Sequence, residues 1–296
     1  MYKFIFPLLI LIIFQTKADI INTPHARWGD YLLLGKCKIE DFKKEPFSKW
    51  FNKNYKNYSP DTTFINKLKN NINDLEIIIF LGSWCGDSKR EFPRFIKILD
   101  IINFNYNNLQ IYALDRRKGK EMTTPTGIEK NYNIIRVPTF IFIKNNNEIG
   151  RIIETPVLSL EEDMFQIVIK NDYKPNNYVE SQINFYLFNK GVKWFNKNLD
   201  SIMEKIQYDI NPNLLNSYID KLIKTNKHEE AKAVLNLIIK IYPDDDRPYR
   251  KLGTIYEKEQ NISQAIKVYQ KALEYSIPKD SLLEKKIHKL QNTKTK

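Results

Sequence analysis

The chain of 296 residues has only two cysteines, Cys37 and Cys85. That count excludes both a disulfide framework and a four-cysteine zinc site. The three histidines, His25, His228 and His288, lie far apart, and none has a second histidine at helical ligand spacing. No metal and no other cofactor is expected. A dense basic stripe is also missing. The 47 basic and 35 acidic residues give a net charge of +12, but lysine is spread along most of the chain. A nucleic-acid binder concentrates its excess, so no nucleic-acid partner is expected. Nor does the N-terminal apolar run reach the roughly 20 residues of a membrane helix. What is present, 42% hydrophobic and 13% aromatic residues, is enough to build about two ordinary domains.

The N-terminus has the layout of an export signal. Lys3 supplies the positive charge, Phe4 to Phe14 the apolar core, and Thr16 and Ala18 the small residues read at cleavage. Residues 1–18 are therefore expected to be removed, leaving a mature chain from about Asp19 in a periplasmic or extracellular compartment where disulfides persist. The alternative is an uncleaved N-terminal anchor. No cysteine follows the apolar run, so a lipidated cysteine is not available, and after cleavage no membrane span remains.

Residues 19–70 read as a mostly helical lead-in. Phe47, Trp50, Phe51 and Tyr55 share one helical face, and Phe64, Ile65 and Leu68 mark a second helix after Ser59-Pro60-Asp61. Between 71 and 170 strands and helices alternate. Leu75 to Leu81 is a short continuous apolar run, as expected of a strand buried on both faces. A helix follows through Phe92, Phe95, Ile96, Leu99 and Ile102, then a strand from Leu109 to Leu114 and a helical turn around Ile128 to Tyr132. Thr139 to Ile143 and Ile149 to Ile153 form a hairpin through Asn145-Asn146-Asn147. Ser159 and Glu162 then open a closing helix as a capping box. The expected class is α/β, a central mixed sheet flanked by helices, followed by an all-α domain over residues 178–291.

The all-α part repeats itself. At an offset of 34 residues Leu215 matches Tyr249, Tyr218 matches Leu252, Leu222 matches Tyr256, and Ala231 matches Ala265. Two copies are expected, at about 212–245 and 246–279, with a capping helix from Ser281 to Leu290. The period and the small residues at helix contacts resemble the tetratricopeptide pattern, which implies a surface that docks proteins.

Chemistry concentrates at Trp84-Cys85-Gly86-Asp87-Ser88, between the first buried strand and its helix. A thiol becomes a good nucleophile only when ionised, and a helix N-terminus favours the thiolate through its unpaired N–H groups. Gly86 leaves room beside the sulfur and Trp84 shields one side of it. This motif, with Val137-Pro138-Thr139 some fifty residues later at the head of a strand pair, resembles the thioredoxin family, especially its Trp-Cys-Gly-Asp-Ser bacterial branch. The resemblance covers about residues 71–170 and implies a thioredoxin-like fold, Cys85 as attacking thiol, and Pro138 in the cis form. It also implies that Val137 pairs its backbone with an extended substrate. Cys85, Ser88 and Pro138 are thus the expected catalytic residues, with Trp84, Gly86, Asp87, Val137 and Thr139 around the substrate.

Two departures matter. The family's resolving cysteine is Ser88 here, and its buried acid, six positions before the nucleophile, is Ile79. A hydroxyl cannot expel a substrate from a mixed disulfide, so autonomous dithiol reduction is excluded. Three readings stay open: a monothiol reductase or isomerase acting on protein thiols and disulfides, resolution by Cys37 from the N-terminal segment, and a redox-silent scaffold or interaction module among envelope proteins. Arg116 and Arg117, after the second strand, are candidates to face the thiolate or an acidic partner.

Overall fold

The apolar run at 75–81 becomes the centre of a mixed sheet. Its strands are β1 (Asp19–Asn22), β2 (Tyr31–Cys37), β3 (Glu76–Leu81), β4 (Leu109–Ala113), β5 (Thr139–Lys144) and β6 (Asn147–Ile153), in the order β1-β2-β4-β3-β5-β6. β3 and β4 run parallel, and the other neighbouring pairs are antiparallel. The computed structural model describes residues 19–22, 31–72, 74–117, 119–120, 122–206 and 212–294; the segment 1–18 read as an export signal, and His25, lie outside them. The chain divides into two units, 1–176 and 177–296.

The lead-in expected at 19–70 is only partly helical. It supplies α1 (Ile39–Phe42), α2 (Ser48–Asn57) and α3 (Thr62–Leu68), but also β1 and β2, and β2 joins the sheet beside β4. Leu32, Leu33 and Leu34 are all buried, so this strand shows no alternation and carries no period-2 signal. The segment belongs to the α/β unit and does not precede it.

Alternation along β3 assigns its side chains to two cores. Ile77, Ile79 and Leu81 face the helical layer, where Phe92, Phe95, Ile96 and Leu99 of α4 (Gly86–Ile101) meet Leu160 and Met164 of α5 (Leu160–Phe165). Ile78 and Phe80 face the other side, with Tyr112, Leu114, Val137 and Ile141 under the 3-10 turn at Ile128–Tyr132. Ser159 caps α5 by accepting from the Glu162 N–H at 3.2 Å.

Pro93 lies inside α4, where it removes the N–H that would bond the Lys89 carbonyl. The missing donor comes from another helix. Asn54 Nδ2 of α2 donates to the Lys89 carbonyl at 3.0 Å. Phe51 of the same helix is buried against Phe92, with ring centroids 5.8 Å apart. Burial of such a ring is worth about 2–3 kcal/mol, against roughly 1 kcal/mol net for a hydrogen bond. Packing therefore attaches α2 to α4, and Asn54 sets where along α4 it sits.

The second unit is helical throughout its described residues. α6 (Tyr178–Phe185) runs into a π-helical turn at Tyr186–Lys190, followed by α7 (Val192–Lys197) and α8 (Leu199–Ile206). Then come α9 (Pro212–Lys224), α10 (His228–Ile241), α11 (Asp246–Lys258), α12 (Ile262–Tyr275) and α13 (Ser281–Lys294). The boundaries of α9 and α10 recur in α11 and α12 at an offset of 34 residues, as the sequence period requires. A Cβ on Gly253 would meet the Tyr269 ring at 2.4 Å, so the close approach of α11 and α12 depends on glycine there. Thirty-four residues earlier the corresponding residues are Ile219 and Leu235, both buried in one apolar core. Leu283 and Ile287 of α13 pack on Ala265, Tyr269 and Ala272 and close the stack.

Asn54→Ala leaves the Lys89 carbonyl without its side-chain donor and is expected to cost about 1–3 kcal/mol. Urea unfolding of the two proteins measures it; equal midpoints would show that water replaces the bond without loss.

Candidate functional site

The four residues Gly82 to Cys85 connect β3 to α4, and their polar groups are tied in several directions. The Gly82 N–H donates to Ser88 Oγ at 3.1 Å, and Ser83 Oγ accepts from the Leu33 N–H of β2 at 3.0 Å. Trp84 Nε1 donates to the Leu114 carbonyl at 2.9 Å, just past β4. The Cys85 N–H turns back to the Gly82 carbonyl at 2.9 Å. Trp84 lies so close over Gly82 that a Cβ there would fall 2.6 Å from the indole.

Cys85 is the N-cap of α4, with extended backbone and no capping bond from its side chain. Its carbonyl instead accepts the Lys89 N–H at 3.0 Å, opening the helix. The half-buried sulfur donates to the Val137 carbonyl at 3.3 Å. The Val137–Pro138 peptide bond is cis, and the Val137 carbonyl lies against the thiol.

The structure brings together Trp84, Cys85, Val137 and Pro138, with Gly86 exposed beside them. Ser88 is fully buried, and its hydroxyl joins the first turn of α4 to the end of β3. Asp87 is half-exposed and paired with Arg90 at 2.7 Å, with Arg90 also bonded to the buried Glu91. Thr139, expected to face substrate, is instead buried: β5 starts there, and its hydroxyl donates to the Arg136 carbonyl at 2.8 Å, bracing the cis-proline turn. Ile79, at the family's acid position, is buried between Ile111 and Phe140. Arg117 is held by Asp115 at 2.7 Å. Burial would raise the Asp115 carboxyl, but the Arg117 guanidinium and neighbouring N–H groups outweigh it and hold it below the ordinary value. Arg117 is thus engaged locally and is not turned to the thiol.

Resolution by Cys37 is contradicted by the geometry. β2 is antiparallel to β4, so Cys37 pairs with Ile111, which pairs with Ile79, two positions short of the end of β3. Its side chain belongs to the core under the helices, whereas Cys85 packs with the cluster on the opposite face. The sheet separates the two thiols. Burial, with Asp41 adding to it, pushes the Cys37 thiol up to about 12 from the ordinary 9.0.

Sequence reading missed the neighbouring rim. Arg136 Nη1 donates to both Glu154 carboxylate oxygens at 3.1 and 3.2 Å, and the Glu154 N–H donates to the Pro138 carbonyl at 2.7 Å. Glu154 thus carries the chain from β6 past the cis-proline into a loop whose Val157 and Leu158 are 47% and 63% exposed. That loop is held from within. The fully buried Asp163 accepts the Val157 N–H at 2.7 Å, the Leu158 N–H at 3.2 Å and the Tyr173 hydroxyl at 2.6 Å. Burial pushes the Asp163 carboxyl up despite these bonds. Asn176 Nδ2 adds a bond to the Thr155 carbonyl at 3.0 Å. Two exposed apolar side chains on a loop that begins three residues after the Glu154 contact with Pro138 have no local pattern that would have announced them.

In native protein near neutral pH iodoacetamide is expected to modify Cys85 alone, with Cys37 reacting only after unfolding; mass mapping of the labelled cysteines checks it. The Cys37 shift also sets an alkaline limit. In the unfolded chain this thiol ionises near 9.0 and in the folded chain near 12, so its contribution is whole below about pH 9 and falls as pH rises between those values. Cys37→Ala is expected to flatten that fall in stability.

Comparison with known proteins follows the division into units. The tetratricopeptide repeat model matches residues 247–276. A thioredoxin-like protein of Acanthamoeba polyphaga mimivirus is 28% identical over 92 residues, 31% of this chain, which spans 61% of that relative's length. Among solved structures, mitochondrial thioredoxin 3 of Saccharomyces cerevisiae is 27% identical, with 34% of this chain and 86% of that chain covered and a TM-score of 0.20. A chain from a structure on the thiol resolving mechanism in yeast mitochondrial 1-Cys peroxiredoxin via the glutathione/thioredoxin systems is 29% identical, covering 32% and 79%, with a TM-score of 0.20. The first unit thus contains a stretch similar in sequence to thioredoxin-like proteins, within a mixed sheet flanked by helices, and the helical second unit contains a match to the tetratricopeptide repeat.

Proposed function

We propose that the protein carries out thiol–disulfide exchange on protein substrates through Cys85, as a monothiol reductase or isomerase, with the helical repeats docking partners. The observation that carries this reading is the half-buried Cys85 sulfur at the start of α4, bonded to the Val137 carbonyl beside Pro138. In the first step the Cys85 thiolate attacks one sulfur of a substrate disulfide, forming a mixed disulfide and expelling the other sulfur as a thiolate that takes up a proton. In the second, an outside thiol attacks the substrate sulfur, releases Cys85 as thiolate and becomes disulfide-bonded in its place. If that thiol is the substrate's own, the net change is isomerisation. If it is a separate small thiol, a further equivalent releases the substrate in reduced form.

Ser88 cannot take the second step, and Cys37 is on the wrong face of the sheet. A protein substrate is favoured by the exposed Val157 and Leu158, on the loop that follows the Glu154 bond to the Pro138 carbonyl. Export to a periplasmic or extracellular compartment is part of the proposal and rests on the pattern of residues 1–18 alone.

Incubation with a peptide disulfide, followed by mass spectrometry, tests the chemistry. The expected result is a mixed disulfide on Cys85 that accumulates until a small thiol is added, and that Ser88→Cys discharges without one. No adduct, or one on Cys37, would overturn the reading and move the function to the repeats. The protein-substrate choice has its own test. Leu158→Asp is expected to raise KM severalfold for a protein disulfide and leave the rate with a small disulfide unchanged; loss of both would mean that the loop supports the site and not the substrate.

A further inference from the structure

A second surface lies far along the sequence from Cys85, where α6 turns into α7. From Ser181 to Leu199 there is no aspartate or glutamate, and Lys190, Lys193 and Lys197 are all exposed. Phe185, Phe188 and Trp194 are exposed as well, each by more than a third. The helices do not need these rings for their own packing, because Ile183, Leu187 and Phe195 already fill the core beneath. Two of the exposed rings, Phe185 and Trp194, are joined through Tyr186. Phe185 meets Tyr186 at 5.6 Å, and Tyr186 stacks on Trp194 at 5.5 Å. Two further exposed lysines reach the same rings from other helices or turns: Lys227 Nζ sits 4.0 Å above Phe188, and Lys205 Nζ 5.9 Å from Tyr186. The flanking carboxylates do not neutralise the patch: Glu180 is buried and Asp200 is paired with Lys240. Of the other acids near these lysines in sequence, Glu229 is paired with Lys232, and Glu204, exposed on α8, and the half-buried Glu230 remain.

We propose that this corner is a peripheral docking surface for an anionic phospholipid membrane. Aromatic rings suit the boundary between headgroups and acyl chains, and lysine suits the lipid phosphates; a segment that exposes three rings and three lysines, with Lys227 over Phe188, offers both. An acidic polypeptide would use the lysines but leave the exposed rings without a role, so the lipid surface accounts for more of what is exposed. The contact is peripheral. No described helix is long and apolar enough to cross a membrane.

The test is flotation of the full chain with phosphatidylcholine vesicles, with and without phosphatidylglycerol. Any attachment through the apolar stretch at residues 4–14 would be common to both kinds, so the readout is the difference between them. The expected result is stronger binding to the anionic vesicles, weakened by salt and reduced about fivefold for each lysine removed. Lys190→Glu with Lys193→Glu is expected to abolish the preference, and Phe188→Ala with Trp194→Ala to weaken binding at low salt. Should the aromatic variant unfold, as circular dichroism would reveal, the exposed-lysine variant carries the test alone. Equal binding to both vesicles, or a preference unchanged in the lysine variant, overturns the proposal. So does capture by polyglutamate without vesicle binding, which would assign the surface to an acidic polypeptide.

Discussion

Four residues have to leave a strand buried on both faces and enter a helix, and their polar groups cannot all rely on water. Gly82 to Cys85 meet this requirement by bonding to much of the surrounding fold: β2 through Ser83, the end of β4 through Trp84, α4 through Ser88, and the segment before β5 through the Cys85 sulfur. Buried polar groups left unpaired cost about 1–3 kcal/mol each, so alternative paths for this loop are strongly disfavoured. The position of the thiol is set by the sheet as a whole. It does not depend on a partner cysteine.

This explains how the site can lack a resolving thiol without losing its shape. Ser88 is a buried structural group: its hydroxyl accepts the N–H of Gly82, and the first turn of α4 is fastened to β3 through it. The acid position shows the same separation of architecture from redox chemistry. Ile79 simply completes a row of apolar side chains with Ile111 and Phe140. Cys37 ends in that same core, where burial makes it a small apolar side chain and removes it from exchange.

Much of this was legible because the relevant signals are local. The run Leu75–Leu81, the Asn145–Asn147 turn and the Ser159 cap each state their structure within a few residues, and the period of 34 survives in all the helix limits of α9 to α12. What was not legible depends on contacts across the chain. β2 is buried on both faces and so has no alternation, and it pairs with a strand more than seventy residues later. Pro93 looks like a break in α4 until Asn54, from a different helix, is found on the Lys89 carbonyl. Thr139 looks like a surface residue after cis-proline until its hydroxyl is seen to be used by Arg136. Leu158 is apolar yet exposed, on a loop whose backbone N–H groups bond to the buried Asp163.

On the proposed reading, a single-thiol site shifts where selectivity must come from. With an internal resolving thiol, a mixed disulfide is opened by a group always within reach, and unproductive partners are released by the same route. Here the covalent complex lasts until an outside thiol arrives, so non-covalent contacts have longer to discriminate between partners. Affinity differences between related complexes reside mainly in dissociation rates, which gives a fixed apolar rim more influence than it would have on a rapidly discharged intermediate. Asp163 and Asn176 hold that rim in place before substrate arrives, lowering the ordering cost of the encounter. The tetratricopeptide-like unit extends the same logic: where the bond-breaking step must wait, binding surface apart from the cysteine determines which proteins are held long enough to react.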